Sequence, residues 1–243
     1  MILAGILIGI ASGMFGIGGS LIGTPILKIF FSLPDLIALA TPLPTVIPTA
    51  ISGAVGYAKK DLINTTIAKG VVLGGLPFTV VGALLTTVIS GRWLMILTGL
   101  FIIFIWLRLI KNNKNTPPAF VKKIPTFVLA VLIGSISGFL SGLLAVGGGI
   151  VIMPAFLLFF GLSMQEAAAT SLFCIAFLAI PGTIVHWLLG NIDWHLVINL
   201  CAGMIPASFV GAKIAISLKS RQLELLFSVF MLIFGLYFIF KQF

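Results

Sequence analysis

Residue i of this chain matches residue i+129 without a gap from Gly5/Gly134 to Leu107/Leu236, with 28 identities among 103 pairs. Self-similarity at one register is the mark of a duplication, so whatever the chain folds into must be built twice. The identities fall on residues with backbone meaning, among them Gly13/Gly142, Gly18/Gly147, Gly19/Gly148, Pro25/Pro154, Thr41/Thr170, Gly53/Gly182 and Pro77/Pro206. Between the two copies, Lys111 to Lys123 is polar, basic and Pro-containing, without apolar periodicity, as a linker is. The chain therefore divides into a first repeat 1–111, a linker 112–124 and a second repeat 125–243.

Each repeat is too apolar for water. Hydrophobic residues make up 60% of the 243 positions and charged ones 8%, too few polar groups to cover a soluble domain of this length. A membrane-spanning helix needs about 20 apolar residues, and both repeats show the same series. It runs from a glycine-interrupted apolar stretch (3–31; 125–160) to helices at 36–58 and 165–189, 65–89 and 195–217, and 93–110 and 222–240. The expected fold class is an all-α polytopic membrane protein whose first partner is the lipid bilayer. Lys and Arg total 14 against 5 Asp and Glu. Seven of the cations (Lys59, Lys60, Arg108, Lys111, Lys114, Lys122, Lys123) gather in or beside two short polar stretches, the pattern of topological charge and not of a nucleic-acid surface. Cys174 and Cys201 lie inside apolar segments and match neither a disulfide framework nor a zinc site. The N-terminal apolar run has no basic n-region and continues past signal-peptide length, so it is expected to remain in the mature protein.

The first stretch of each repeat departs most from an ordinary membrane helix. It reads Gly13-Met-Phe-Gly-Ile-Gly-Gly-Ser20 in one half and Gly142-Leu-Leu-Ala-Val-Gly-Gly-Gly149 in the other. Adjacent glycines cost about 1 kcal/mol each in a helix interior, so the helix is expected to break there. Freed backbone groups are tolerated at membrane depth only inside protein or beside a water-filled cavity. A half-helix beginning at Ser20 or Gly149 aims free N–H groups and a positive dipole end into such a cavity, which suits an anion. The competing reading is close helix packing through small residues. It fits Gly5, Gly9 and Gly13 at spacing four but not adjacent glycines.

If each broken stretch is a hairpin returning to its starting face, every half crosses three times and the second half is inverted. Lys59, Lys60, the linker cations, Lys213, Lys219 and Arg221 then share the cytoplasmic side, opposite Lys28, Arg92 and Lys241, with both termini outside the cytoplasm. A single crossing per stretch divides the cations less well.

The next helix carries Thr41, Thr45 and three prolines in the first half, and Thr170, Ser171 and Cys174 in the second. Hydroxyl or thiol groups there can donate to an oxyanion, or bond back to their own helix. Cys174 also reads as an inert buried residue. Ser163-Met-Gln-Glu166 is a capping box. His186, matched to Tyr57, lies near a helix end beside Trp187 and reads as interfacial, with a proton relay as the other reading. No Asp or Glu occurs in mid-segment, which disfavours a cation or metal site, and no cofactor motif is present.

At the two glycine octapeptides, each followed by a Pro, and at the pairs Ala40-Thr41 and Ala169-Thr170, the chain resembles the TauE/SafE family of sulfite exporters. The resemblance implies a bacterial or archaeal inner-membrane transporter of sulfur-containing anions such as sulfite, sulfoacetate or related organosulfonates. The expectation is a pseudo-symmetric carrier of a small anion. Gly18, Gly19, Ser20, Gly147, Gly148 and Gly149, with Thr41, Thr45, Thr170, Ser171 and Cys174, are its candidate substrate-binding residues. An anion channel, a carrier of another organic acid, an intramembrane enzyme and a scaffold subunit are the rivals. The enzyme lacks a nucleophile–base pair or a metal-ligand set in the apolar segments.

Overall fold

The computed structural model describes residues 1–58, 60–111, 124–145 and 147–240. The linker 112–124 up to residue 123, and the cations Lys59 and Lys241, lie outside them. Among the described residues every regular element is a helix, and there are no strands. In the first half the helices are α1 (Ile2–Phe15), α2 (Ser20–Phe31), α3 (Asp35–Ala40), α4 (Leu43–Ala58), α5 (Thr65–Leu85) and α6 (Gly91–Lys111). In the second they are α7 (Thr126–Leu144), α8 (Gly149–Ala155, running on into a π turn Phe156–Phe160), α9 (Met164–Leu188), α10 (Trp194–Ser217) and α11 (Ser220–Phe240). Adding 129 carries α1 onto α7, α2 onto α8 and its π turn, α3 with α4 onto α9, α5 onto α10 and α6 onto α11. Asp35–Ala58, α5, α7, α9 and α10 are each long and apolar enough to cross a membrane. The protein is a multi-pass membrane protein. By contrast α1 has 14 residues and α2 has 12, about 21 Å and 18 Å at helical rise, short of the roughly 30 Å hydrocarbon core.

Helix ends are set by local chemistry that also repeats. Asn64 Oδ1 accepts the Ile67 N–H at 3.1 Å, and its counterpart Asp193 accepts the Leu196 N–H at 3.2 Å, so the two residues cap α5 and α10. Ser163 and Glu166 form the expected capping box at the start of α9. Where α9 is continuous, Asp35–Ala58 breaks at Thr41-Pro42, because Pro42 has no N–H to give and Ser171 stands in its place in the second half.

The packing obeys the same register. A Cβ built on Gly5 would meet Leu200, on Gly9 Met204 and on Gly13 Ser208; on Gly134, Gly138 and Gly142 it would meet Val71, Gly75 and Thr79. Each pair becomes its partner when 129 is added to one residue and subtracted from the other. So α1 lies parallel to α10 and α7 parallel to α5, with glycines at spacing four letting the backbones touch. α4 also runs parallel to α10, since Gly53 faces Ser208 and Gly56 faces Ala212. α4 and α9, counterparts of each other, cross antiparallel: Gly53 meets Leu172 and Gly182 meets Leu43. Because α1 and α4 point the same way, α2 between them must run back, and α1–α2 is a hairpin of short helices. The same argument makes α7–α8 a hairpin.

Candidate functional site

Both hairpins turn at the glycines. α1 ends at Gly16 (φ 66) and Gly18 has φ 72; in the other half Gly147 has φ 72 and Gly148 φ 80. A residue with a Cβ is strained in that left-handed region, which is why these turns need glycine. The two turns meet at the middle of the molecule. A Cβ on Gly18 would lie 3.1 Å from Val46 and 3.2 Å from Ile175, one on Gly147 3.2 Å from Val46 and 3.5 Å from Ser20 Oγ, and one on Gly149 2.5 Å from the Ile17 carbonyl group. Val46 and Ile175 are counterparts midway along the crossing helices. Gly18, Gly19, Ser20, Gly147, Gly148 and Gly149 are all buried.

The polar groups of the first turn divide by sign. On the side where α1 ends, the carbonyls of Ser12, Gly13, Met14 and Gly16 are taken by protein donors. Gly16 N–H donates to Ser12 O at 2.9 Å, the Tyr57 hydroxyl to Gly13 O at 3.0 Å and Met14 O at 3.3 Å, and the Ser171 hydroxyl to Gly16 O at 2.5 Å. On the side where α2 begins, the first helical bond is Gly23 N–H to Gly19 O, so the N–H groups of Ser20, Leu21 and Ile22 have no helical acceptor. The Ser20 hydroxyl, fully buried, has no partner either. In the second turn Val151 and Ile152 N–H both donate to Gly148 O, leaving those of Gly149 and Ile150. The Ser141 side chain lies against Gly148, its hydroxyl buried without a partner. With those first-turn carbonyls taken and the N–H groups that open α2 and α8 spare, the centre attracts negative charge without a cationic side chain.

The remaining hydroxyls suggested by the sequence are engaged elsewhere. Thr41 Oγ1 accepts the Asp193 N–H at 3.1 Å, and its counterpart Thr170 Oγ1 accepts the Asn64 N–H at 3.0 Å. The Ala-Thr pairs are thus a reciprocal clasp between the halves. Thr45 donates to Pro42 O at 2.6 Å, occupying a carbonyl beside the helix break. Cys174 is fully buried, with Sγ 3.9 Å from Ala68 O on α5. Ser12, Ser141 and Ser208 were missed as candidates although all three are buried and unpartnered. Ser12 and Ser141 are an identical pair in the 129 register, a signal the sequence did contain. His186 faces inward, 1% exposed. Among the described residues no cluster of His, Cys, Asp or Glu could hold a metal ion.

Comparison with known proteins agrees with this architecture. The family model described as Sulfite exporter TauE/SafE matches residues 1–238. A Bacillus subtilis protein named Probable membrane transporter protein YunE is 24% identical across 97% of this chain and 94% of its own length. Probable membrane transporter protein YdhB of the same organism is 29% identical across 88% of each chain. Probable membrane transporter protein MJ0441 of Methanocaldococcus jannaschii is 28% identical across 98% of this chain and 93% of its own. No solved structure matches the chain. With the family model spanning both hairpins and every helix between them, the chain belongs to the TauE/SafE sulfite exporter family of membrane transporters.

Proposed function

We propose that this chain is a secondary carrier that exports a small sulfur-containing anion, such as sulfite, sulfoacetate or a related organosulfonate, across the inner membrane by alternating access. The observation that carries the reading is the division of the first turn: carbonyls at the end of α1 are capped, while N–H groups at the start of α2 and the Ser20 hydroxyl are not. Gly18, Gly19, Ser20, Gly147, Gly148 and Gly149 contact the anion through N–H and hydroxyl groups, replacing its water of hydration. Ser171 and Thr45 hold neighbouring carbonyls away from it, Thr41 and Thr170 clasp the halves, and Cys174 packs against α5. The family description favours a sulfur oxyanion as cargo.

The halves 1–111 and 125–243 act as inverted repeats about an axis in the membrane plane. What supports this is the antiparallel crossing of α4 and α9, with Lys60, Lys213, Lys219 and Arg221 at one end of the bundle and Lys28 and Arg92 at the other. The first end, where the linker also begins and ends, is cytoplasmic by its positive charge. The hairpins meet midway, so small rotations of one hairpin-bearing half against the other open the turns to either face in turn. An anion leaving a cell with an inside-negative potential moves downhill.

Purified protein in proteoliposomes is expected to move sulfite, sulfoacetate or methanesulfonate with saturable kinetics and to leave choline and glucose behind. Folded protein that moves no member of an anion panel refutes the carrier, and a rate linear in concentration makes it a channel. Ser171→Ala leaves the Gly16 carbonyl bare beside the anion. It is expected to raise the transport KM about tenfold, the cost of one hydrogen bond near charge, with the folded protein retained; an unchanged KM would place the anion elsewhere.

A further inference from the structure

We propose that His186 is a proton-binding site that couples proton movement to anion movement; this rests on the carrier reading above. Tyr57 and His186 hold the same place in the two halves. Tyr57 is fully buried and its hydroxyl donates to the carbonyls of Gly13 and Met14, in the last turn of α1 before the first break. His186 is buried to the same degree; one turn before it Gly182 meets Thr79, whose carbonyl lies against Gly142, the counterpart of Gly13. Its Nε2 makes no hydrogen bond, and its Nδ1 lies 3.4 Å from Asn191 Nδ2. A phenol ordinarily keeps its proton across the physiological range. Imidazole is the side chain that ordinarily gains and loses one there. The first hairpin is therefore held by a donor that keeps its proton, while the matching place in the second half carries a side chain that can gain and lose one.

Asn191 gives the ring a partner in both forms. Its amide N–H donates to Nδ1 of the neutral ring, and with the amide turned over its oxygen accepts from Nδ1–H of the imidazolium. Nε2, buried without a partner, carries the ring's other proton in both forms. Among the described residues, no titratable side chain lies on the near turn of α4 (43–46) or on α8 (149–155), both packed against α9. The nearby turns of α3 (residues 37–40), α5 (79–85) and α7 (138–144) carry no titratable side chain, while α1 and α11 meet α9 at its far end, at Ala168 and Met164. Ionisable groups at the His186 end of the bundle are Asp193, which caps α10, His195, the Lys28–Asp35 ion pair and Arg92.

A proton on His186 places positive charge on the part of α9 packed near the last turn of α7, which leads into the Gly147–Gly148 turn, and favours an anion held there; by linkage the anion raises the proton affinity of His186 by the same factor. The proton comes from water by way of the 189–193 loop, binds Nδ1, and returns to water when the anion leaves. A dianion carried with one proton still bears one net negative charge, so export still runs with an inside-negative potential.

The test uses proteoliposomes containing a pH-sensitive dye, with the membrane potential clamped and labelled methanesulfonate as the probe. That anion stays ionised throughout, so any proton that moves with it is bound by the protein. Wild type is expected to acidify the lumen in proportion to sulfonate uptake, with uptake about tenfold faster at external pH 6 than at pH 8, within the usual range for coupled sites. His186→Tyr, which installs the first half's residue, and His186→Gln are expected to take up sulfonate more slowly, with no pH change and a flat pH profile. Proton movement that persists in a folded variant overturns the inference, as does wild type that moves sulfonate without acidification. Wild type that moves no anion removes the carrier reading and this inference with it.

Discussion

Gly148→Val is expected to leave the protein folded in the membrane and to lower transport at least about a hundredfold. Gly148 has φ 80, and its carbonyl accepts the N–H groups of Val151 and Ile152, both at 3.0 Å. An ordinary L residue in that conformation costs about 1–2 kcal/mol and a β-branched one more, so the backbone rotates. The rotation re-aims the spare N–H groups of Gly149 and Ile150. The new Cβ also presses on the Ser141 side chain at 3.2 Å. Its contacts, Ser141 and Ile152, are side chains that can yield, which is why the fold survives while the donor array does not. Gly161→Val is the matched control. Gly161 has φ 63 at the partly exposed end of the π turn, so it suffers similar strain away from the site and keeps its transport. Rates in proteoliposomes, read beside thermal melting in detergent, separate the outcomes; wild-type rates for Gly148→Val would mean the turn does not touch the anion.

That the turn was visible before the fold follows from how glycine and the repeat write themselves into a sequence. Adjacent glycines cannot propagate a helix, and the 129 register placed the second break opposite the first, so α1–α2 and α7–α8 appear where Gly13–Ser20 and Gly142–Gly149 indicated. The other helices fall within a few residues of expectation because apolar length and caps such as Ser163–Glu166 are local. Hydroxyl orientation is not local. Thr41 sits at the helix break and Thr170 at the matching place in unbroken α9, yet they reach Asp193 and Asn64 of the opposite half, and no spacing rule within one helix encodes that reach. Ser171 is brought to the Gly16 carbonyl by the crossing of α9 over the first hairpin, 155 residues away in sequence. The orphan hydroxyls of Ser12 and Ser141 were legible only as an identical pair, which distinguishes a repeated role but not what the role is.

Gly138→Leu should fail in the opposite way, giving little folded protein to assay. On α7 the glycines 134, 138 and 142 follow one another at spacing four, and the backbone of α5 lies directly against them. A Cβ on Gly138 would overlap the Gly75 carbonyl oxygen and stand 2.6 Å from the Gly75 Cα. No side chain at that point can swing aside, so the two helices must separate. Membrane helices associate through close backbone packing and not through exclusion from water, so lost contact has no hydrophobic compensation. The cost is about 3 kcal/mol or more, the upper end of overpacking. The expected result is loss of the monodisperse peak in detergent and rapid proteolysis. Gly182→Ala tests the argument on the same scale: its Cβ would meet only the tips of Leu43 and Thr79, at 3.2 and 3.4 Å, so it folds with at most a small shift in melting temperature. A monodisperse, thermally stable Gly138→Leu would show that α5 and α7 do not lie this close. Glycines at spacing four would then no longer be separable by phenotype from the adjacent pairs that form the turns.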